Sequence, residues 1–413
     1  MPKKTNLLLV VLIAAAVLQC SNNPTATDRV VSRELTAGEK LLVESDNEFG
    51  LKLFKEIVKE ERDENIFISP LSVSMALGMT YNGAAGTTRE AMQKTLELSG
   101  LTIEEVNKSY KSLLELLSRL DPKVRFQIAN SIWYRKGMSF EKDFIELNKT
   151  YFDALVSELD FADPKAAETI NGWVDENTNG KITRIVEPPI TPLMVMFLIN
   201  AIYFKGTWTN EFSKELTEDA DFFAPDGSRR PCKLMNREDE FRYFENSDFQ
   251  AIDLPYGDGD FSMVVFLPRR SADLDSLIAE FSQENWDKWM SSFSERKGTL
   301  QLPKFTLRYE LELNDVLKSL GLSIAFQPFV ADFSNMCKTR KDLYISEVKH
   351  KTFVEVNEEG TEAAAVTSVG IALTSVDPTV FWMRVDRPFV FAIRENKSQT
   401  LLFVGKIVNP TSE

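Results

Sequence analysis

Apolar residues return at helical spacing early in the chain: Phe49, Leu53, Phe54, Ile57 and Val58 fall on one helix face. Ser45 and Glu48 just ahead read as a capping box, in which each side chain satisfies the other residue's free backbone N–H. Ser69-Pro70 predicts a second helix, with Ser as cap and Pro in the first helical position. Thr87 with Glu90 and Thr102 with Glu105 read as two further boxes, so the chain opens helical. The period then shortens. FQIANSIWYRK (126–136) alternates partly and is rich in strand formers. From Met194 to Phe204 the residues are apolar except for Asn200. That run suits a central strand covered on both faces, and it leaves the Asn200 amide in need of a partner. FSMVVFLP (261–268), LQLPKFTLRYEL (300–311) and the pair RPFVFAIREN (387–396) and QTLLFVGKIV (399–408) complete a strand-rich second half. Helices first and strands later predict an α+β fold, and no linker-like break after residue 45 divides it.

One segment fits neither pattern. Residues 356–376, VNEEGTEAAAVTSVGIALTSV, start acidic and continue in small residues, with no Lys, Arg, Pro or aromatic from Gly360 to Val376. It is too apolar for a linker and too small for a core strand.

Composition narrows the function classes. The 413 residues are 43% hydrophobic and include 29 Phe, enough for a large core. A net charge of −14 argues against a nucleic-acid partner, whose phosphates need a basic face, and against a basic lipid-binding patch. His350 is the sole imidazole, which counts against Ser-His, Cys-His and His-rich metal sites. No enzyme activity, cofactor or metal is expected. GAAGTT (83–88) lacks a Lys for a phosphate and reads as a turn between helices. GDGD (257–260) lacks the spaced acids of a calcium loop and reads as a hairpin turn. Cys232 and Cys337 stand apart from any CxxC pattern, as one disulfide or as two buried thiols.

Lys3 and Lys4 precede an apolar run from Leu7 to Leu18, too short to span a bilayer. Residues 1–19 read as a secretory signal. Cys20 directly after it resembles the lipidated Cys of bacterial lipoproteins, although Gln19 stands where that pattern prefers a small residue. Residues 20–44 then form a polar tether. The protein is expected to be exported, as a cell-envelope lipoprotein or a secreted protein, with membrane contact only through that anchor.

Seven motifs in order carry a resemblance to one family: NIFISPLSVSMALGM (65–79), GAAGTTREAM (83–92), INGWVDENTNGKI (170–182), LINAIYFKGTW (198–208), VNEEGTEAAA (356–365), DRPFVFAI (386–393) and LFVGKIVNP (402–410). The chain resembles the serpins, serine protease inhibitors, from about Ser45 to Pro410. The resemblance implies a single domain over 45–411, with three β-sheets, about nine helices and an exposed reactive-centre loop at about 358–380. It implies a suicide substrate: a protease cuts the loop, the loop enters the main sheet as a new strand, and the acylated protease is trapped. The partner is then a target protease held covalently by a monomer.

The resemblance places a hinge at Glu358, Gly360, Thr361, Glu362, Ala363, Ala364 and Ala365. The residues suit that role. Side chains alternate along a strand, so Thr361, Ala363, Ala365 and Thr367 would share the face that enters the core, and all four are small and uncharged. Glu362 would take the opposite face, and Gly360 permits the sharp backbone change. At roughly 1 kcal/mol per ladder bond, a dozen residues paired on both sides would supply on the order of 10–20 kcal/mol. Counting about seventeen residues from Glu358, the family's spacing, puts the bait bond at Thr374–Ser375, with Ala372 and Leu373 as alternatives. Thr374 is small and uncharged, which fits elastase-like or subtilisin-like pockets, while Leu373 suits papain-like cysteine proteases. Ser69, Ser72, Asn200 and His350 match family positions beneath the opening of the main sheet. Trp208 matches the point where insertion begins, and Lys304 the partner of Glu358. The alternative function is a non-inhibitory serpin acting as a binding or carrier protein.

Overall fold

In the computed structural model, which describes residues 33–361 and 380–411, the first helix, α1 (Ala37–Glu60), starts at Thr36 and not at Ser45. The Thr36 hydroxyl accepts the Glu39 N–H at 3.3 Å, and the Glu39 carboxylate accepts the Thr36 N–H at 2.7 Å. Arg33 adds charge to that cap by bonding Glu39 at 2.8 Å. Residues 37–44, read as tether, are helical, and Ser45 lies inside α1 with its hydroxyl bonded to the Leu41 carbonyl at 2.8 Å. Its neighbour Asp46 is buried. Tyr110 donates to one oxygen at 2.8 Å, and the other has no partner among the described residues. Burial pushes the Asp46 carboxyl up to about 7.

The helical half continues with a short strand, β1 (Ile66–Ile68), then α2 (Pro70–Tyr81), α3 (Gly86–Thr95) and α4 (Ile103–Leu117). Ser69 caps α2 and the Thr102–Glu105 box caps α4, both as their local sequence dictates. Thr87 caps nothing. α3 has no side-chain cap, and it is Thr88 that is buried, accepting the Asp332 N–H at 2.8 Å. β2 (Val124–Arg135), α5 (Lys142–Phe152), β3 (Leu155–Leu159), α6 (Ala166–Asn177) and β4 (Met196–Thr207) lead into the strand-rich half. That half holds β5 (Glu218–Phe223), β6 (Arg229–Glu245), β7 (Phe249–Tyr256), β8 (Phe261–Pro268), α7 (Leu274–Ala279), α8 (Gln283–Ser292), β9 (Ser294–Pro303), β10 (Phe305–Glu312) and the short α9 (Asn314–Leu317). β11 (Lys349–Asn357), β12 (Gly360–Thr361), β13 (Phe381–Arg384), β14 (Phe389–Glu395) and β15 (Leu401–Ile407) complete it.

The main sheet runs β10-β11-β12-β4-β2-β3. The other strands form one network, β1-β15-β14-β8-β7-β6-β9-β13, with β5 on β6. Two of the three expected sheets merge there because β6 is long: residues 234–243 pair with β9 and 242–245 with β7. Every residue of β8, β14 and β15 is buried, and these near-continuous apolar runs form the centre of the core. The GDGD turn joins β7 to β8. Cys232 and Cys337 are free and buried, which selects the two-thiol reading. β4 is well covered only towards its second half; its start is half-buried.

Candidate functional site

The chain reverses at the end of β11 in two residues, Glu358 and Glu359. The Asn357 side-chain carbonyl accepts the N–H of Glu359 at 3.0 Å and of Gly360 at 3.3 Å, which tightens the turn. β12 then runs back between β11 and β4. Gly360 lies opposite Asn357 and Thr207, and Thr361 opposite Val356 and Gly206. β12 is antiparallel to both neighbours, so β11 and β4 run parallel to each other. No ladder among the described residues joins those two strands directly. Gly360 has φ +150°, and a β-carbon there would meet the Gly206 carbonyl oxygen at 2.1 Å. Only glycine suits both the backbone angle and the space.

The turn is fastened from several sides. Trp208 N–H donates to the Glu359 carbonyl and Phe212 N–H to the Glu358 carbonyl, each at 2.9 Å. The Trp208 indole donates to the Asn357 carbonyl at 3.0 Å and stacks on Tyr256 with centroids 4.4 Å apart. Tyr256 and Thr361 share a buried hydroxyl–hydroxyl bond of 2.6 Å. The Glu358 carboxylate is buried, 2.7 Å from Lys304 Nζ, and it accepts the Thr217 hydroxyl at 2.8 Å. Burial alone would push that carboxyl up; the bonds from Lys304 and Thr217 outweigh it and hold it below its ordinary value. Glu359 is also buried and bonds Lys214 through one oxygen.

At the other end of the same two strands lies a cavity of about 220 Å³, lined by Ser72, Met196, Asn200, Ile345 and His350 among others. His350 Nε2 accepts the Ser69 N–H at 3.0 Å, and the Ser69 hydroxyl donates to the Leu402 carbonyl at 2.7 Å. His350 is buried, and desolvation pushes its imidazole down to about 4, so it is neutral. Asn200 donates to Asn130 Oδ1 at 2.7 Å, while its own carbonyl oxygen is buried with no partner among the described residues.

The structure therefore gathers the sequence candidates at two ends of one gap. Trp208, Lys304, Glu358, Gly360 and Thr361 lie at the turn between β11 and β12; Ser72, Asn200 and His350 line the cavity, with Ser69 bonded to His350. Lys214, Thr217 and Tyr256 were not foreseen. Glu362, Ala363, Ala364, Ala365, Ala372, Leu373, Thr374, Ser375 and Cys20 lie outside the described residues. Among the described residues no group of three or more His, Cys, Asp or Glu could hold a metal ion, and no helix is long and apolar enough to cross a membrane.

A profile of the family described as Serpin (serine protease inhibitor) matches residues 44–410. The chain is a serpin. It is 35% identical to Serpin B6 of Macaca fascicularis over 90% of this chain and 100% of that one. The crystal structure of tengpin, a thermophilic serpin, in the native state superposes with a TM-score of 0.82 at 33% identity, covering 92% of this chain and 97% of tengpin. Human thyroxine-binding globulin in complex with thyroxine gives a TM-score of 0.82 at 27% identity, over 91% of this chain and 100% of that one. The fold is the serpin fold, α+β, with nine α-helices among the described residues.

Proposed function

We propose that this serpin is an inhibitor that works as a suicide substrate. The protease's nucleophile attacks the Thr374 carbonyl, the Thr374–Ser375 bond breaks and the Ser375 amine leaves, so the protease remains as an ester on Thr374. The freed strand then continues between β11 and β4. The observation that carries this reading is the position of Gly360 and Thr361, already paired between those strands, with the cavity between the same strands farther along. The unpartnered Asn200 carbonyl gives an entering backbone N–H something to meet. The small bait residue points to elastase-like or subtilisin-like targets, with papain-like cysteine proteases open through Leu373.

The test is incubation of the mature protein with pancreatic elastase and subtilisin, read by denaturing gel and intact mass. A stable band at the summed mass, with a released peptide starting at Ser375, is the expected result. Cleavage near residue 374 without a covalent band overturns it for these enzymes. A second reading, a non-inhibitory carrier, is favoured by the likeness to thyroxine-binding globulin and by the cavity, whose lining mixes apolar Met196 and Ile345 with polar Asn200 and His350. It expects cleavage with no covalent band and no gain in melting temperature of the cut form.

The proposal extends to location. An exported protein anchored through Cys20 would be released from membranes by Cys20→Ala. Unchanged fractionation would leave the secreted, unanchored form.

A further inference from the structure

Among the described residues β13 is the end strand of its sheet, hydrogen-bonded in parallel to β9 alone. Its inward residues are locked. Phe381 stacks on Tyr243 with centroids 3.9 Å apart and fills the space a side chain at Gly298 would need, and Met383 is wholly buried. Strand alternation therefore turns Trp382 outward, where it is 64% exposed, and puts Arg384 on the same face, half-buried and donating to Gln301 Oε1 at 2.9 Å. Its backbone is held by Gln250, which donates to the Trp382 carbonyl at 3.1 Å. An indole displayed on a pinned strand has little conformational freedom to lose when it is covered.

Trp382 does not stand alone. Val380 before it is exposed. Farther along, Asp386 is buried and gathers arginines: Arg270 at 2.6 Å, Arg387 at 3.0 Å and Arg384 at 3.7 Å. The Phe223 N–H donates to the Asp386 carbonyl at 2.8 Å, and the exposed Phe223 ring lies 5.7 Å from the guanidinium groups of both Arg229 and Arg270. A stripe of exposed aromatic rings and guanidinium groups, partly paired with the carboxylates of Glu218 and Asp221, thus runs along this end of the sheet, in a chain whose net charge is −14. Trp and Arg are the side chains that dominate binding energy at protein interfaces.

We propose that this stripe, centred on Trp382 and Arg384, is a docking surface for the body of the target protease, separate from the bait bond. It rests on the inhibitory reading above. The choice of occupant follows from chain length. The segment between Thr361 and Val380 carries the bait, and Thr374 precedes Trp382 by few enough residues that they span at most about 29 Å when fully extended. A protease of about 220 residues has a radius of gyration near 17 Å. Its surface beside the catalytic cleft is therefore within reach of β13 while the bait occupies the cleft. The matching protease surface is an apolar recess for the indole rimmed by carboxylates that face Arg384 and Arg270.

The experiment uses the full mature serpin, unsubstituted and as Trp382→Ala, Trp382→Phe and Arg384→Glu. Pancreatic elastase and subtilisin serve in active form and with the catalytic serine replaced by alanine. Two quantities are read: the second-order rate of covalent trapping and the Kd of the inert protease. The expected result, for at least one of the two enzymes, is a loss of tenfold or more in both for Trp382→Ala, partial recovery in Trp382→Phe, and a salt-dependent loss for Arg384→Glu. Rates and Kd within twofold of the unsubstituted protein for both enzymes, or no binding of either inert protease, overturn the docking surface. If nothing is trapped covalently, the suicide-substrate reading fails by itself and the inert-protease Kd still decides the docking surface. Melting temperatures within about 2 °C show that each variant is folded; Arg270→Glu replaces any that is not.

Discussion

The Gly206 carbonyl oxygen lies 2.1 Å from where a β-carbon on Gly360 would be. Gly360 lets β12 pass close against β4, while the bare face of Gly206 makes room for the Tyr256 ring that Thr361 bonds. Gly360→Ala is therefore expected to push β12 out, breaking the Tyr256–Thr361 bond with it. The strain is on the order of 1–3 kcal/mol. Thermal unfolding should show a lower melting temperature, and limited proteolysis should cut the bait segment faster. An unchanged melting curve would count against the close approach.

Thr361→Arg tests the inserted position itself. Thr361 is buried and bonded to Tyr256, so a guanidinium there would be an unpaired buried charge. The variant should cleave as a substrate and form little covalent complex. It should also lose native stability, because the site is occupied before any cut. Trapping at full stoichiometry would show that Thr361 does not enter the sheet.

The two hinge acids predict unequal lysine variants. Lys304→Ala leaves the buried Glu358 with Thr217 as its remaining side-chain donor. Lys304 is partly exposed, so the loss is expected at about 1–3 kcal/mol, at the low end of a broken buried pair. Lys214→Ala should do less, since Lys214 is the more exposed of the two. Adding Glu358→Gln to Lys304→Ala should restore most of the loss. Denaturant unfolding of the four proteins checks the order.

pH separates two buried groups that act in opposite directions. His350 is held neutral, its imidazole moved from 6.5 to about 4, so the unfolded chain takes up the proton first as pH falls. Its contribution is whole above pH 6.5 and is lost towards pH 4, about 3 kcal/mol in all. The Asp46 carboxyl is moved from 3.8 to about 7, so its contribution is whole below about pH 4 and is lost as pH rises to 7, by a similar amount. Asp46→Asn should raise the melting temperature at pH 8 and change it little at pH 4. His350→Gln should flatten the acid side of the curve. Melting temperatures from pH 4 to 8 for the three proteins check both signs.

What could be read from the sequence was mostly local. The Ser69 cap and the Thr102–Glu105 box lie within three residues of the backbone they satisfy, and both form. The same logic failed at Ser45 and Thr87. At the first, Thr36 and Glu39 made an equally local box earlier in the chain, and Arg33 reinforced it. At the second, the α3 end is tied to Asp332 through Thr88. The turn into β12 left a local trace, a glycine directly after paired acids. Its fastenings left none. Lys214 meets Glu359, and Tyr256 meets Thr361, across more than a hundred residues of chain, and neither pair has a local signature. The outward turn of Trp382 was equally hidden, because it follows from the packing of Phe381 and Met383 on either side of it.

On the proposed mechanism, the placement of β12 changes which step of insertion is slow. In a zipper the first rungs are hardest, because order is imposed before contacts return it. Here the first rungs are made: Gly360 and Thr361 are registered against β11 and β4, and the turn behind them is fastened by Trp208, Phe212, Lys304 and Lys214. In that mechanism the cut segment elongates from a seeded end. Its pace is then set by how readily the far end of the gap, around Asn200 and His350, gives up its contacts, and by how soon the cut frees the segment. Gly360 and Thr361 are the nucleus of that strand, made before any cut.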